Sequence, residues 1–302
     1  MNREDLIQKK FAVVATVRNV GNTLIDDFHR INQSLPTKNI CWFVVESDSC
    51  DNTLDKLYQL SKANSFLRYK TMGCLSVQMP NRIERISHCR NVYLNEIKTN
   101  IAYNDVDYVV VADLDGLNSE ISSESFCSCW DRDDWDVCTA NQIDCYYDIY
   151  ALRHADWCPS DCYHSLDFFQ KYPNRLHKFD YFKEVVLSKM LTIPPDSPWI
   201  EVDSAFGGLA VYKKTIFVKG IYHHLDDFGR ASCEHVFFHK KIKSHGGRIY
   251  INPALINAKN TEHGLELRRS KLSRLFKRLH KSLMKRVWKI QKCFRLVLPI
   301  NF

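Results

Sequence analysis

The chain predicts an α/β protein, a mostly parallel central sheet flanked by helices, and three observations point there. Residues 107–115 read Asp-Tyr-Val-Val-Val-Ala-Asp-Leu-Asp, the unbroken Val-rich run of a strand covered on both faces. Similar runs alternate with longer segments whose apolar residues recur at helical spacing. The strand-like runs end in polar loops rich in carboxylates, where open α/β sheets place their ligands.

Taken in order, Phe11–Val17 reads as the first strand, and the turn Arg18-Asn19-Val20-Gly21-Asn22 leads into a helix over residues 23–32. Ile40–Glu46 is a second buried strand. The loop Ser47-Asp48-Ser49-Cys50-Asp51-Asn52 then offers N-caps to a helix that ends near Ala63, with Leu54, Leu57, Tyr58 and Leu60 at helical spacing. Leu67–Thr71 is a candidate third strand. Residues 82–98 predict a helix burying Ile83, Ile86, Tyr93 and Ile97, and residues 135–140 a strand after the Asp-x-Asp run. The second half is less regular. Residues 146–163 are crowded with aromatics (Tyr146, Tyr147, Tyr150, Trp157, Tyr163). Asp203-Ser204-Ala205-Phe206-Gly207-Gly208 precedes an apolar strand-like segment, residues 232–243 look helical, and residues 248–252 form a late strand.

At 302 residues, with 45% hydrophobic and 25% charged, the composition suits a globular protein. No apolar run approaches the roughly 20 residues of a spanning helix, and the polar start Met1-Asn2-Arg3-Glu4-Asp5 is unlike a signal peptide. A cytoplasmic protein is expected. The twelve cysteines are scattered through strand-like segments, which favours free thiols in a reducing compartment, with a Cys158–Cys162 disulfide left open. The net charge of +7 conceals an asymmetry. From Leu267 onward there are 12 Lys and Arg and no acid, leaving 30 basic against 35 acidic residues elsewhere. Two parts are therefore expected: residues 1–264 as the folded domain, and residues 265–302 as a basic amphipathic helix. Leu272, Leu275, Phe276, Leu279, Leu283, Val287, Ile290 and Phe294 recur there at helical spacing, a pattern suited to an anionic membrane surface. The acidic body argues against a nucleic-acid partner.

If strand geometry persists, Asp113 and Asp115 project from one face. Two such acids suit a hard divalent cation that bridges to phosphate oxygens; the bland alternative is a strand end turning into a loop. Taken together with Gly207-Gly208, the helix-initial Cys233-Glu234-His235 and the late His263, this ordered set resembles glycosyltransferases of the GT-A (Rossmann-like) fold over roughly residues 11–263. Glu46-Ser47-Asp48-Ser49-x-Asp51-Asn52-Thr53, Arg82-Ile83-Glu84-Arg85-Ile86 and Arg90-Asn91 narrow the resemblance to fungal capsule-associated α-1,3-mannosyltransferases and their bacterial relatives.

The resemblance implies a metal-dependent hexosyltransferase, leaning to mannose, that uses a nucleotide-sugar donor and a glycan or lipid-linked acceptor. It implies that Asp113, Asp115 and His263 hold the metal, Mn2+ or Mg2+. Thr16, Arg18, Asn19, Glu46 and Asp48 would bind the nucleotide; Arg85 and Arg90, as guanidinium forks, would meet its diphosphate. Gly207 and Gly208 would lie beside the donor, with Asp203 on its sugar hydroxyls. Glu234, with Asp115 the expected catalytic pair, would take the acceptor proton, and Trp157 and His235 would contact the acceptor. Structural readings stand beside these: helix capping, which fits Asp51 better than Asp48; a positive-φ turn for the glycines; a dipole partner for Glu234; and a solvated basic face for the arginines. The competing classes are a catalytically degenerate binding module or membrane-docked scaffold, and a sugar-phosphate nucleotidyltransferase. The latter is disfavoured by the single glycine after the first strand.

Overall fold

The computed structural model describes residues 3–172 and 178–259. Helix α1 (Arg3–Ile7) precedes strand β1 (Phe11–Val17), helix α2 (Leu24–Ser34), β2 (Ile40–Glu46), α3 (Thr53–Ala63), β3 (Leu67–Thr71), α4 (Arg82–Thr99) and β4 (Tyr108–Ala112). These four strands pair in parallel in the order β3-β2-β1-β4, with Phe11 opposite both Ile40 and Tyr108. Strands β1 and β4 run through the middle of the sheet, which is why both are apolar but for Thr16 near the end of β1. Alternate residues of β1 (Phe11, Val13, Ala15, Val17) pack into one apolar core with Trp42, Tyr108, Trp130 and Trp135.

The second half adds α5 (Ser123–Cys127), β5 (Val137–Gln142), α6 (Cys162–Lys171), α7 (Lys178–Val185), β6 (Ile200–Val202), β7 (Leu209–Lys213), α8 (Lys214–Phe217), α9 (Glu234–Ser244) and β8 (Ile249–Ala258). One mixed eight-stranded sheet results, in the order β3-β2-β1-β4-β7-β5-β8-β6. Strand β7 lies antiparallel between β4 and β5, and β6 lies antiparallel on β8. The expected mostly parallel arrangement therefore holds for β1–β4 and for the β5–β8 pair, with antiparallel pairing where β7 is inserted and where β6 lies on β8. The antiparallel run has a consequence for the site. It brings the residues that precede β7 to the end of β4 where Asp113 leaves the sheet.

Two sequence expectations shift. Helix α4 turns Arg85, Cys89, Arg90, Tyr93 and Ile97 inward, and Ile83 and Ile86 are only half-buried. The arginines replace the isoleucines inside because carboxylates from other segments meet them there. Strand β8 is also longer than predicted, continuing through Pro253. The β5 pairing shifts register between Thr139 and Gln142, and Asn141 Nδ2 donates to the Pro253 carbonyl at 3.0 Å. Proline is tolerated at such an irregularity. The described cysteines, Cys158 and Cys162 included, are free thiols. Among the described residues no helix is long and apolar enough to cross a membrane. The basic segment from residue 265 and His263 lie outside the described residues.

Candidate active site

Asp113 is the first residue beyond β4. Its N–H donates to the Gly208 carbonyl at 2.9 Å, and its own carbonyl accepts from Asn118 Nδ2 at 2.5 Å. A buried amide network continues from there. Asn257 Nδ2 donates to Asn118 Oδ1 (3.1 Å) and to the Gly207 carbonyl (2.9 Å), while Gln142 Nε2 donates to the same carbonyl and to Asn257 Oδ1 (3.0 Å each). All three amides are fully buried, so their partners are obligatory. Together they lock the strand end to the glycine turn. Gly207 and Gly208 adopt φ of +72° and +82°. A Cβ on Gly207 would stand 2.7 Å from the Ala140 carbonyl, and one on Gly208 2.9 Å from the Tyr147 hydroxyl. Both the conformation and the space require glycine.

Strand geometry does not persist to Asp115. The chain turns at Gly116 (φ +91°), whose N–H donates to Asp27 Oδ2 at 2.7 Å, and Thr23 Oγ1 holds the Leu114 carbonyl at 2.8 Å. Asp27 is buried, which lifts its carboxyl to about 6 against the pull of that N–H. Asp115 is exposed, and its charge is felt at both Asp27 and Asp113. Burial pushes Asp113 up to about 7; Arg90 opposes this, and Asp115, Asp148 and Glu234 add to it.

Arg90 joins the two ends of the site. It is 4% exposed; its Nε donates to Glu234 Oε1 at 3.0 Å, Nη1 to the Tyr93 hydroxyl at 3.0 Å, and Nη2 to Asp113 Oδ1 at 3.4 Å. The guanidinium also lies over the rings of Phe206 and Tyr222. Glu234 opens α9, and its Oε2 accepts from the Cys233 thiol at 3.6 Å. His235 follows, 2% exposed and stacked on Phe206 at 3.9 Å. Neither of its ring nitrogens has a hydrogen-bond partner, and Nε2 stands 3.9 Å from Glu234 Oε1. Burial, with Arg90 and His239 nearby, keeps its imidazole neutral.

A second cluster occupies the ends of β1 and β2. Glu46 Oε1 accepts the Ser49 N–H (2.9 Å) and Oε2 the Thr71 hydroxyl (2.5 Å). Asp48, at φ +61°, accepts the Ser76 N–H at 2.8 Å and lies 3.5 Å from Arg85 Nε. Burial works against its charge, but Ser76 and Arg85 hold the carboxyl below its ordinary value. Arg85 Nη1 also donates to the carbonyls of Met79 and Pro80. Asn19 (φ +54°) and Arg18 fold over this loop, with Asn19 Oδ1 accepting the Cys50 N–H and Arg18 Nε reaching the Asp48 carbonyl. Thr16 is half-buried at the end of β1, opposite Val45. Asp51 accepts from the N–H groups of Thr53, the first residue of α3, and of Gly21, while the N-cap position itself is Asn52.

The expected residues thus fall into a carboxylate and glycine group (Asp113, Asp115, Gly207, Gly208, Arg90, Glu234, His235) and a strand-end group (Thr16, Arg18, Asn19, Glu46, Asp48, Arg85). Trp157 lies against Tyr146, whose hydroxyl accepts the Phe206 N–H, so it borders the glycine turn. Its own indole N–H is spent on the Lys189 carbonyl at 2.7 Å. Asp203 stands apart. Its side chain is 59% exposed and paired with Lys243 at the far end of α9 from Glu234. Missing from the sequence reading were Asp148, Gln142, Asn118 and Asn257. The available signal was the amides inside otherwise apolar strands, Asn141-Gln142 and Asn257. Among the described residues no three His, Cys, Asp or Glu side chains are placed to hold a metal ion on their own.

No family model and no curated protein matches the chain. Solved structures similar to it include the mannosyltransferase PcManGT from Pyrobaculum calidifontis in complex with GDP-Man and Mn2+, at 14% identity and TM-score 0.48, over 83% of this chain and 56% of that one. S. aureus TarS, as its first 349 residues, is 15% identical with TM-score 0.43, over 85% of this chain and 63% of that one. GalNAc-T7 with UDP, GalNAc and Mn2+ is 14% identical with TM-score 0.43, over 82% of this chain and 43% of that one.

Proposed function

We propose that the chain is a metal-dependent glycosyltransferase of the GT-A kind that moves a hexose, with a lean to mannose, from a nucleotide-sugar to a glycan or lipid-linked acceptor. The observation that carries this reading is the Arg90 bridge. One guanidinium holds Asp113, at the end of a central strand, and Glu234, at the start of a helix, while the glycine turn is bonded to the Asp113 backbone. Asp113, the glycine turn and Glu234 therefore adjoin one another, which supports a donor side and an acceptor side meeting there.

The donor set fits a divalent cation. Burial, with Asp115, Asp148 and Glu234 adding to it, lifts Asp113 to about 7, a cost that a cation would relieve. With two carboxylates and no third ligand among the described residues, the ion would keep waters and accept phosphate oxygens, as Mn2+ and Mg2+ do. Asp113 and Asp115 would hold it, and when bound it supplies charge stabilisation to the departing diphosphate. His263 remains the candidate that would complete its shell.

The protein's own groups do the rest. The strand-end loop receives the nucleoside, with Asp48 and Glu46 as hydroxyl acceptors, and Arg85 orders the Asp48 loop. The glycine turn lets backbone approach the sugar. Glu234, held in place by Arg90, accepts the proton of the acceptor hydroxyl, and His235 and Trp157 line the acceptor side. A nucleotidyltransferase reading is disfavoured further, because the N–H groups of Asn19, Val20 and Gly21 are already bonded to Ser49, Thr53 and Asp51 and do not cradle a triphosphate. The basic segment 265–302 is proposed to dock on anionic membrane and so bring the enzyme to a lipid-linked acceptor. Thermal shift across GDP, UDP and triphosphates, with and without Mn2+, followed by donor hydrolysis over a panel of nucleotide-sugars, tests the activity. Stabilisation by a diphosphate only with metal is expected; stabilisation by triphosphates alone would overturn the reading.

A further inference from the structure

We infer that helix α2 is the template for the turn that carries Asp115, and that Asp27 is the residue that positions this carboxylate for a cation. This role rests on the metal-dependent transferase reading proposed above, and it concerns how that site is built before an ion arrives. Three side chains of α2 reach the same stretch of chain. Thr23, at the N-cap, donates from Oγ1 to the Leu114 carbonyl at 2.8 Å. Asp27 Oδ2 accepts the Gly116 N–H at 2.7 Å, and Arg30 Nη1 donates to the Ser119 carbonyl. Positions i, i+4 and i+7 lie on one face of a helix, so Thr23, Asp27 and Arg30 form a polar stripe along the loop. The adjoining stripe of Leu24, Phe28 and Ile31 is the one that enters the core. Asp115 is thus held through both of its neighbours, by the carbonyl before it and the N–H after it.

A carboxylate is a costly group with which to tie down a loop. Asp27 is 2% exposed, and both burial and the charge of Asp115 disfavour its ionised form, against the pull of the Gly116 N–H. A neutral side chain such as Asn would accept the same N–H without that cost. A cation at Asp115 changes the balance, because the buried negative charge then attracts it. The fit of helix to turn is close as well. Gly116 sits at φ +91°, and a Cβ there would stand 3.2 Å from Thr23 Cγ2. Partners that orient a ligand from behind in this way typically carry about 10–100-fold in metal affinity.

Asp27→Ala and Asp27→Asn separate this role from a merely structural one. Mn2+ uptake by the full chain is followed by electron paramagnetic resonance in the presence of GDP or UDP, and diphosphate affinity is measured with and without Mn2+. Asp27→Ala should weaken Mn2+ binding and metal-dependent diphosphate affinity by about tenfold or more, while metal-free diphosphate affinity stays within about twofold. Asp27→Asn, whose amide oxygen still accepts the Gly116 N–H, should recover part of that loss. Unchanged Mn2+ affinity in Asp27→Ala, an equal fall with and without metal, or an Asn variant no better than the Ala variant overturns the inference. Should Asp27→Ala not fold, hydrogen exchange at the Gly116 amide of the unaltered chain carries the test. That amide should exchange slowly before Mn2+ is added, and fast exchange in the metal-free protein overturns the inference. If the unaltered chain takes up no Mn2+ with either diphosphate, the transferase reading fails first and this one with it.

Discussion

Arg90 is buried with two carboxylates, a hydroxyl and two aromatic rings around it. A guanidinium so placed is held because its N–H groups donate to both carboxylates and to the Tyr93 hydroxyl. Removing it strands Asp113 and Glu234 in low dielectric. Arg90→Met should therefore lower unfolding stability by about 3–5 kcal/mol, measured by urea titration; a loss below about 1 kcal/mol would show that the pair is not coupled as described. Glu234 allows a cleaner separation. Glu234→Gln keeps the shape and the bond to Arg90 is weakened only in charge, so transfer should fall by about two to four orders of magnitude while diphosphate affinity stays near its starting value. Parallel loss of donor affinity would move Glu234 to the donor side. For Asp115, replacement by Ala should abolish metal-dependent nucleotide binding and leave the far-UV spectrum unchanged, since the side chain is exposed. EDTA-sensitive binding that survives in Asp115→Ala would reject it as a ligand.

At the level of elements, helix α9 is pinned by its two buried imidazoles as well as by Glu234. His239 lies between Ser204 Oγ and the Tyr212 hydroxyl at 2.9 Å each, and burial holds its pKa down to about 3. The folded form therefore binds fewer protons than the unfolded chain between about pH 6.5 and 3. Stability is complete above that window and is lost as pH falls through it, by about 1.4 kcal/mol per unit from this residue. Urea midpoints at pH 7.5, 5.5 and 4.5 should decline accordingly, and His239→Gln should flatten the slope even if it lowers the starting value. An unchanged slope would show that His239 is not the group responsible. The glycine turn makes a second element-level claim. Gly207→Ala forces a Cβ toward the Ala140 carbonyl at positive φ and should cost about 1–3 kcal/mol; a neutral result would mean that the turn can relax.

At the scale of the whole chain, the charge asymmetry separates an acidic body from a basic segment. Each cation near an anionic surface contributes about 1 kcal/mol, so a few engaged side chains suffice to hold a protein at the membrane. Truncation after Gly264 should release the chain from anionic liposomes at low salt in a flotation assay while donor hydrolysis is spared. Binding that persists, or a truncated chain that unfolds, would assign the apolar stripe a structural role.

Glu234 and the glycine pair were singled out by the motif set and Asp113 by its place at a strand end, while sequence periodicity placed β1, β2 and β3 at their observed limits. It succeeds because burial on both faces of a strand and positive φ at a turn each demand particular residue types locally. What it misread depends on partners distant along the chain. Arg90 answers to Asp113, 23 residues away, and Glu234, 144 away, so no helical pattern could show that α4 turns arginines inward in place of Ile83 and Ile86. The same holds for Gln142, Asn118 and Asn257, polar residues whose burial is stable only once three separate segments meet, and for the half-buried Asp148 beside them. The direction of β7 was likewise settled only when its glycine turn closed against the end of β4. A local pattern reveals where a residue is buried, but which charges and amides satisfy one another is decided by contacts that exist only in the folded chain.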